Sequence, residues 1–357
     1  MGKDPIGTYR KAALRFIRDH DNFSLLYHND TDGIVSAFFI TKTLRSLGKK
    51  ISESMPMDYS DFEKRRMPRL TKDVITCDIG ASGMNLSKTL RGKNILVIDH
   101  HELVPPRKFL LINPKAWGDF RYTPCSLLTY LLFGDYAEGY AWLSAVGTVA
   151  DAGAKDNKKF VKNAAKTCGI GMGKDQYMWD TDFGKAAGMI NSMTVLHGKK
   201  GSRKALSILL GSESIDEVLK ENVLVRAYKT TNREITSILK DFRKRHEDID
   251  GKIYIYELNP KDDNYNSTMA TILGLKKEFS RKIIVMMVKD RGTKNMRVSL
   301  RANGVGKGAS LPKALEKVFD KMDGQGGGHN KAAGATIKAK DKEKFKALLV
   351  KYLKEQI

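Results

Sequence analysis

Short apolar runs that each end in a polar residue are the feature that most constrains the fold of this chain. The runs are FSLLYH, VITCD, NILVIDH and FLLIN, at residues 23–28, 74–78, 94–100 and 109–113. Runs of four to eight apolar or β-branched residues without polar alternation are typical of parallel strands that are buried on both faces. The amphipathic segments between them, such as residues 33–48, then supply the crossover helices. The first half of the chain is therefore predicted to be an α/β domain built on a parallel sheet.

The rest of the chain continues with helical patterns and a second, smaller α/β pattern. Residues 125–134 and 138–151 are predicted to be helices that cover the first sheet. Residues 214–247 contain no Pro or Gly and keep a helical period, which predicts one long connecting helix. Strand-like and helical runs alternate again after residue 251, and they include a Gly-rich loop at residues 324–337. We expect a catalytic domain at 1–212, a connecting segment at 213–250 and a substrate-binding domain at 251–357, with the active site in the cleft between the two domains.

Acidic and histidine side chains follow the predicted strands. They are His28, Asp30 and Asp32 after the first run, Asp78 after VITC, and Asp99, His100 and His101 after NILVI, with Asp151 at the end of a helical stretch. Ligands of open α/β sheets bind beyond the carboxyl ends of the strands, so these groups are expected to converge. An unpaired cluster of carboxylates repels itself, and divalent cations relieve that repulsion. The pattern therefore predicts a two-metal centre, although HNDTDG alone also fits a turn with an Asp helix cap.

The charge balance limits the partners that the chain favours. It has 63 Lys and Arg against 41 Asp and Glu, a formal charge of +22 over 357 residues. Such an excess favours polyanions, nucleic acid first, although it also fits simple solubility. Basic residues outnumber acidic ones nine to two between Lys276 and Arg301, which predicts a groove that follows a single-stranded backbone. Aromatic residues that would stack on bases cannot be ranked from the sequence; Tyr59, Trp117, Tyr122 and Trp179 are the candidates.

Other features bear on the compartment. No run approaches the ~18 consecutive apolar residues of a membrane span. Three cysteines without a CxxC pair do not form a disulfide framework or a zinc ribbon. We therefore expect a cytoplasmic protein that does not bind a membrane.

The ordered motifs resemble those of the DHH phosphoesterase superfamily. They are HNDTDG (28–33), CDIG (77–80), IDHHE (98–102) with INP (112–114), and GTVAD (147–151). VSLRA (298–302) and GGGHNKAAG (326–334) resemble the C-terminal domain that accompanies RecJ-like exonucleases and the nanoRNase group. The nearest resemblance is to the short archaeal RecJ-like proteins.

The resemblance implies a role for each matched residue. One metal ion would be held by His28, Asp30 and Asp78, and a second by Asp32, Asp78, His100 and Asp151. Asp99 would orient a histidine, and His101 would lie near the scissile phosphate or its water. Arg301 and His329 would bind the substrate phosphate from the C-terminal domain, together with the backbone of Gly326, Gly327 and Gly328. The expected ions are two Mn²⁺, with Mg²⁺ or Co²⁺ as alternatives.

Three functions remain open at this stage. The resemblance favours a single-strand-specific exonuclease that releases mononucleotides from DNA or RNA. The second is an enzyme for short oligoribonucleotides, cyclic dinucleotides or pAp. The third is a scaffold of the same fold that works with replication or repair proteins.

Overall fold

The computed structural model describes residues 5–58, 61, 69–80, 89–101, 103, 109–302, 304 and 309–357. The chain divides into two compact units, Met1–Thr230 and Thr231–Ile357. No helix in the described ranges is both long enough and apolar enough to cross a membrane.

The first unit is built on a five-stranded parallel sheet. Its strands are β1 (Asn22–His28), β2 (Lys50–Met57), β3 (Asp73–Cys77), β4 (Asn94–Ile98) and β5 (Leu110–Ile112). The spatial order is β2-β1-β3-β4-β5, and every neighbouring pair is parallel. The strand order therefore reverses beside β1 and β3, which is where ligands bind in sheets of this topology.

Helices and two buried clusters enclose this sheet. The helices of the first unit are α1 (Pro5–Arg18), α2 (Thr31–Ser46), α3 (Cys125–Phe133), α4 (Ala141–Ala150), α5 (Lys158–Thr167), α6 (Asp182–Leu210) and α7 (Ile215–Lys220), with α8 (Asn222–Arg245) spanning the boundary between the units. Phe23 and Leu25 of β1 pack with Phe38 of α2 in the larger cluster. Leu26 packs with Val97 in a second cluster. Successive side chains of a strand point to opposite faces, so β1 is buried on both faces, as its unbroken apolar run predicts.

A glycine lets α2 begin directly beside the end of β1. A Cβ atom on Gly33 would lie 2.2 Å from the carbonyl oxygen of His28. No side chain fits at that distance. Gly33 therefore allows the first turn of α2 to lie against the residues that follow β1.

The second unit contains a six-stranded mixed sheet. Its strands are β6 (Glu247–Ile249), β7 (Ile253–Glu257), β8 (Ile283–Lys289), β9 (Asn295–Ala302), β10 (Gln325–His329) and β11 (Ala332–Lys338), in the order β10-β11-β9-β8-β7-β6. Only β7 and β8 pair in parallel in this sheet of described residues. Its helices are α9 (Asn266–Leu275), α10 (Leu311–Phe319) and α11 (Lys342–Lys354). The predicted fold class, a parallel-sheet domain followed by a smaller α/β domain, is confirmed.

The prediction of a Gly-rich loop at 324–337 is wrong. Gln325–His329 and Ala332–Lys338 form an antiparallel hairpin in which Gly327 pairs with Gly334. Backbone hydrogen bonds form this pairing without help from side chains. A Cβ on Gly326 would lie 3.0 Å from the Phe319 ring, so the glycine keeps the strand close to α10.

The prediction of one unbroken helix at 214–247 is also wrong. Helix α7 ends at Lys220 and α8 begins at Asn222. Glu221 between them has an extended backbone, and its side chain accepts a hydrogen bond from the Val223 N–H at 3.2 Å. A side chain that bonds a backbone donor in this way caps a new helix and breaks the previous one.

Candidate metal centre

The predicted acidic and histidine residues of the first unit lie together beyond the carboxyl ends of β1, β3 and β4. The backbone fixes their positions: Asp78 N–H donates to the Ile98 carbonyl and Asp99 N–H donates to the Ile112 carbonyl, each at 3.0 Å. The sheet hydrogen bonding therefore continues by one residue past each strand. This continuation brings the side chains that follow neighbouring strands into one region.

His28, Asp30 and Asp78 form one group of possible ligands. His28 Nδ1 lies 2.8 Å from Asp30 Oδ2 and 3.6 Å from Asp78 Oδ2. The other carboxylate oxygen of Asp30 accepts a hydrogen bond from the Gly33 N–H at 3.0 Å and caps α2. The helix-cap interpretation of HNDTDG is thus confirmed. The cap leaves the other oxygen of Asp30 facing the imidazole, so the ligand interpretation stays a prediction that is compatible with it.

Asp32, His100 and Asp151 form a second group. His100 Nε2 lies 3.3 Å from Asp78 Oδ1 and 3.6 Å from Asp151 Oδ2. Asp32 is anchored at the start of α3, where it accepts hydrogen bonds from the N–H groups of Cys125 and Ser126 at 2.8 and 2.9 Å. Each of its oxygens keeps a second lone pair that can bind a cation.

Asp78 joins the two groups. Its two oxygens face His28 on one side and His100 on the other, and its side chain is 3% exposed. Its backbone is in the left-handed region, with a φ of 59°, a conformation that Asp and Asn adopt more readily than other non-glycine residues. Asp78 therefore lies between the two groups, and its role as a bridging ligand stays a prediction.

Asp99 and His101 form a partly buried pair beside this centre. His101 Nδ1 lies 2.7 Å from Asp99 Oδ1, and Asp99 is 1% exposed. Asn113 donates from Nδ2 to the His101 carbonyl at 3.0 Å. His101 also lies within ligand distance of Asp78 and His100 in a third group. The carboxylate therefore fixes the imidazole orientation at the edge of the centre.

The charges of the cluster shift the pKa values of its members. Burial would lower the pKa of His100, but its hydrogen bond to Asp78 and the charge of Asp151 outweigh burial and raise the pKa to about 10. Burial raises the pKa of Asp151 to about 6, against the opposing charge of His100. Burial and the charge of Asp78 raise the pKa of Asp32 well above its ordinary value. Cation binding would therefore compete with protons for these groups.

The donor set fits divalent cations. Within each group the nearest ligand atoms lie within 4.8 Å of one another. Carboxylate and imidazole donors suit Mn²⁺, Mg²⁺ or Co²⁺. The raised pKa values of Asp32 and Asp151 show that the carboxylates lack sufficient positive charge of their own. A cation shared through Asp78 would supply that charge.

The predicted phosphate-binding residues lie in the second unit. Arg301 is on β9, where its guanidinium donates to Thr271 Oγ1 at 2.9 Å and to the Leu300 carbonyl at 2.9 Å. Gly326, Gly327 and Gly328 are exposed residues of β10. The backbone of His329 ends the same strand, while its side chain lies outside the described part of the chain.

Tyr122 is a residue of the metal centre whose role the sequence did not reveal. Its hydroxyl donates to Asp151 Oδ2 at 2.7 Å, and its ring lies edge-on to His100 with centroids 5.3 Å apart. Asn157 donates from Nδ2 to the Tyr122 carbonyl at 2.8 Å. Tyr122 precedes α3 by a few residues in an irregular segment, so no periodic pattern marks it, and the sequence offered it only as one of several stacking candidates.

Two of the other stacking candidates, Trp117 and Trp179, pack elsewhere in the first unit. Trp117 packs against Tyr9, with ring centroids 4.4 Å apart. Trp179 is partly buried against the larger apolar cluster. Tyr59 lies outside the described residues.

Two family models match the chain. The model described as the DHH family, N-terminal domain, matches residues 23–172, and the model of the DHHA1 domain matches residues 251–355. No curated protein sequence matches the chain at a significant level.

Several solved structures share the fold. RecJ from Thermus thermophilus in complex with Mn²⁺ is 18% identical with a TM-score of 0.73, and the match covers 99% of this chain. The chain spans 55% of that RecJ. An exonuclease RecJ bound to manganese is 18% identical with a TM-score of 0.69, over 99% of this chain and 95% of the other. The DHH domain of a member of the S1p family of ribosomal proteins is 16% identical with a TM-score of 0.76, over 98% of this chain and 91% of the other.

Replacing the bridging carboxylate tests the centre directly. Asp78→Asn keeps a residue that tolerates the left-handed backbone but removes the charge between His28 and His100. We expect Mn²⁺ affinity, measured by isothermal titration calorimetry, to fall by more than about 100-fold, which exceeds the cost of losing an outer partner. The control Asp156→Asn removes an exposed carboxylate of the same unit and should bind Mn²⁺ like the parent protein. Unaltered Mn²⁺ binding by Asp78→Asn would show that the cluster is not a metal site.

Removing the Tyr122 hydroxyl tests its contribution to the second group. Tyr122→Phe leaves the ring in place and deprives Asp151 of one hydrogen bond. Partners of this kind orient ligands, and their loss weakens metal affinity by about 10- to 100-fold. Tyr136→Phe, at a partly buried tyrosine of the same unit, is the matched control. Equal Mn²⁺ affinity for both variants would contradict the positioning role.

Proposed function

Because the chain belongs to the DHH phosphoesterase superfamily and has a RecJ-like fold, we propose that it is a metal-dependent exonuclease that releases mononucleotides from single-stranded DNA or RNA. The observation that carries this proposal is the pair of ligand groups that share Asp78. Two adjacent cation sites of this kind are typical of enzymes that cleave phosphate esters.

The proposed cofactor is a pair of Mn²⁺ ions, with Mg²⁺ or Co²⁺ as alternatives. His28, Asp30 and Asp78 would hold one ion, and Asp32, Asp78, His100 and Asp151 the other. Bound ions supply Lewis-acid stabilisation of phosphate oxygens and lower the pKa of a water molecule. Both RecJ structures contain manganese, which supports the choice of ion.

The residues of the first unit prepare the site for this chemistry. Asp32 is fixed by the backbone at the start of α3 and Asp30 by its cap on α2, so neither carboxylate has to be ordered when cations bind. Asp99 holds the His101 imidazole at Nδ1. His101 would then present Nε2 to the scissile phosphate or its water.

The second unit would supply phosphate-binding groups. Thr271 and the Leu300 carbonyl hold the Arg301 guanidinium in place. A Cβ at Gly327 would meet no atom within 4 Å, so an anion can approach the β10 backbone closely. We propose that these groups and His329 bind substrate phosphate and stabilise charge on its non-bridging oxygens.

The charge of the chain supports a long polyanionic substrate. A formal charge of +22 and the basic residues on and around β8 and β9 favour a nucleic acid strand over a single nucleotide. Hydrolysis limited to short oligoribonucleotides or dinucleotides, and a role as a non-catalytic replication or repair scaffold, are the alternatives that an experiment must separate.

A length ladder separates these functions. Single-stranded DNA and RNA, from dinucleotides to strands several times longer than one binding site of roughly 4–16 nucleotides, are labelled at either end and incubated with Mn²⁺ or Mg²⁺. We expect end-wise release of mononucleotides at every length, because the proposed exonuclease would act on the terminal phosphodiester of any strand. Activity that disappears beyond a few nucleotides would indicate the small-nucleotide enzyme. Absence of cleavage with every substrate and metal would contradict catalysis. Asp78→Asn is the inactive control for a contaminating nuclease.

The salt dependence of binding tests Arg301. Arg301→Gln removes one cation from the proposed phosphate site, and each phosphate contact to a single strand contributes about −0.7 to the slope of log affinity against log salt. We expect the slope for a labelled oligonucleotide, measured by fluorescence anisotropy in EDTA, to become shallower by about 0.7. Arg291→Gln is the control, since this exposed arginine pairs with Asp263 outside the proposed site. Identical slopes for Arg301→Gln and the parent protein would rule out a phosphate contact.

A further inference from the structure

Two exposed apolar side chains of the first unit lie close in sequence to residues of the candidate metal centre. Among the described residues the large exposed apolar side chains are Leu103, Phe120, Leu131 and Met172. Leu103 lies two positions after His101, and Phe120 lies two positions before Tyr122. Phe120 is the extreme case, with 78% of its surface exposed. Every other phenylalanine in the described part of the chain is buried or partly buried.

The segment that carries Phe120 is held on both sides. Gly118 ends a short 3-10 helix with a left-handed backbone, and its N–H donates to the Lys115 carbonyl. Asp119 accepts hydrogen bonds from Arg121, including one from Nη2 at 2.6 Å. Tyr122 is fixed by Asp151 through its hydroxyl. The exposure of Phe120 is therefore set by an ordered backbone and not by a loose loop.

Phe120 lies on the same short segment as Tyr122, which contacts the candidate metal centre. Two residues of extended chain span at most about 7 Å, so the backbone of Phe120 lies within that distance of Tyr122, which contacts Asp151. Phe120 therefore belongs to the short segment whose Tyr122 side chain reaches the centre, within the span of a few nucleotides from a phosphate bound there. Aromatic rings that face solvent beside a phosphate site bind nucleobases by stacking, and every base offers a flat face for this.

We propose that Phe120 forms a nucleobase subsite, in which its ring stacks on one of the bases near the scissile phosphate. This proposal rests on the proposed function. It adds a contact to a base of the substrate, whereas the proposed function specifies contacts to phosphate only. A stacked base must first leave a duplex, so the subsite selects unpaired strands without reading their sequence. A protein partner is a weaker match for the ring, because only four large apolar side chains of the described residues are exposed.

The test combines substitutions of Phe120 with removal of single bases from the substrate. Phe120→Ala and Phe120→Trp are assayed on a single-stranded oligonucleotide and on a series in which one nucleotide near the reacting end is abasic. Base stacking on an aromatic residue contributes about 5- to 150-fold in affinity. We expect Phe120→Ala to lower kcat/KM by that factor on the complete strand, and Phe120→Trp to retain it. Removing the contacted base should lower kcat/KM of the parent protein and abolish the difference between the parent and Phe120→Ala.

The controls separate this proposal from the function on which it rests. Met172→Ala removes another exposed apolar side chain of the same unit and should cleave the complete strand like the parent protein. Cleavage by the parent protein with no loss in Phe120→Ala would overturn the subsite and leave the exonuclease intact. A loss that is equal on complete strands and on every abasic strand would show that Phe120 does not bind a base. Failure of the parent protein on every strand would overturn the exonuclease and the subsite together.

Discussion

The repulsion between carboxylates at the carboxyl edge of the first sheet is the constraint around which the rest of this unit is arranged. Asp32, Asp78 and Asp151 are close enough to influence one another's pKa values, and burial makes their charges costlier still. Two imidazoles on either side of Asp78 offset part of that cost. The backbone donors at the start of α3 and the Tyr122 hydroxyl offset more. Divalent cations would complete the neutralisation, so the cluster that is electrostatically unfavourable by itself is favourable as a cation site.

The sequence predicted well those elements that a short stretch of neighbouring residues is enough to identify. The run at 23–28 reads as a buried strand without any knowledge of its neighbours, and a parallel sheet then requires that His28, Asp78 and His100 meet at one edge. The role of Asp30 was open between a helix cap and a metal ligand, because one carboxylate has two oxygens and can do both. The sequence does not show which neighbour each oxygen has.

The features that the sequence did not predict depend on contacts between distant segments. Tyr122 reaches Asp151 from 29 positions away, across an irregular segment with no periodicity. The hairpin at Gln325–Lys338 was predicted as a loop because glycine-rich strands lack the apolar alternation that marks other strands. The close approach of the Phe319 ring explains a glycine there only after the fold is known. The exposure of Phe120 was equally hidden, since a phenylalanine in a sequence is most simply read as part of a core.

The anchoring of Asp32 by Cys125 and Ser126 joins groups that are 93 and 94 positions apart. Contacts this distant require the chain to lose the entropy of closing a long loop. The candidate cation site is therefore complete only when the parallel sheet and α3 are both in place. Cations that bind only the folded chain would stabilise it by mass action. Metal uptake during refolding would then report that both of these elements have assembled.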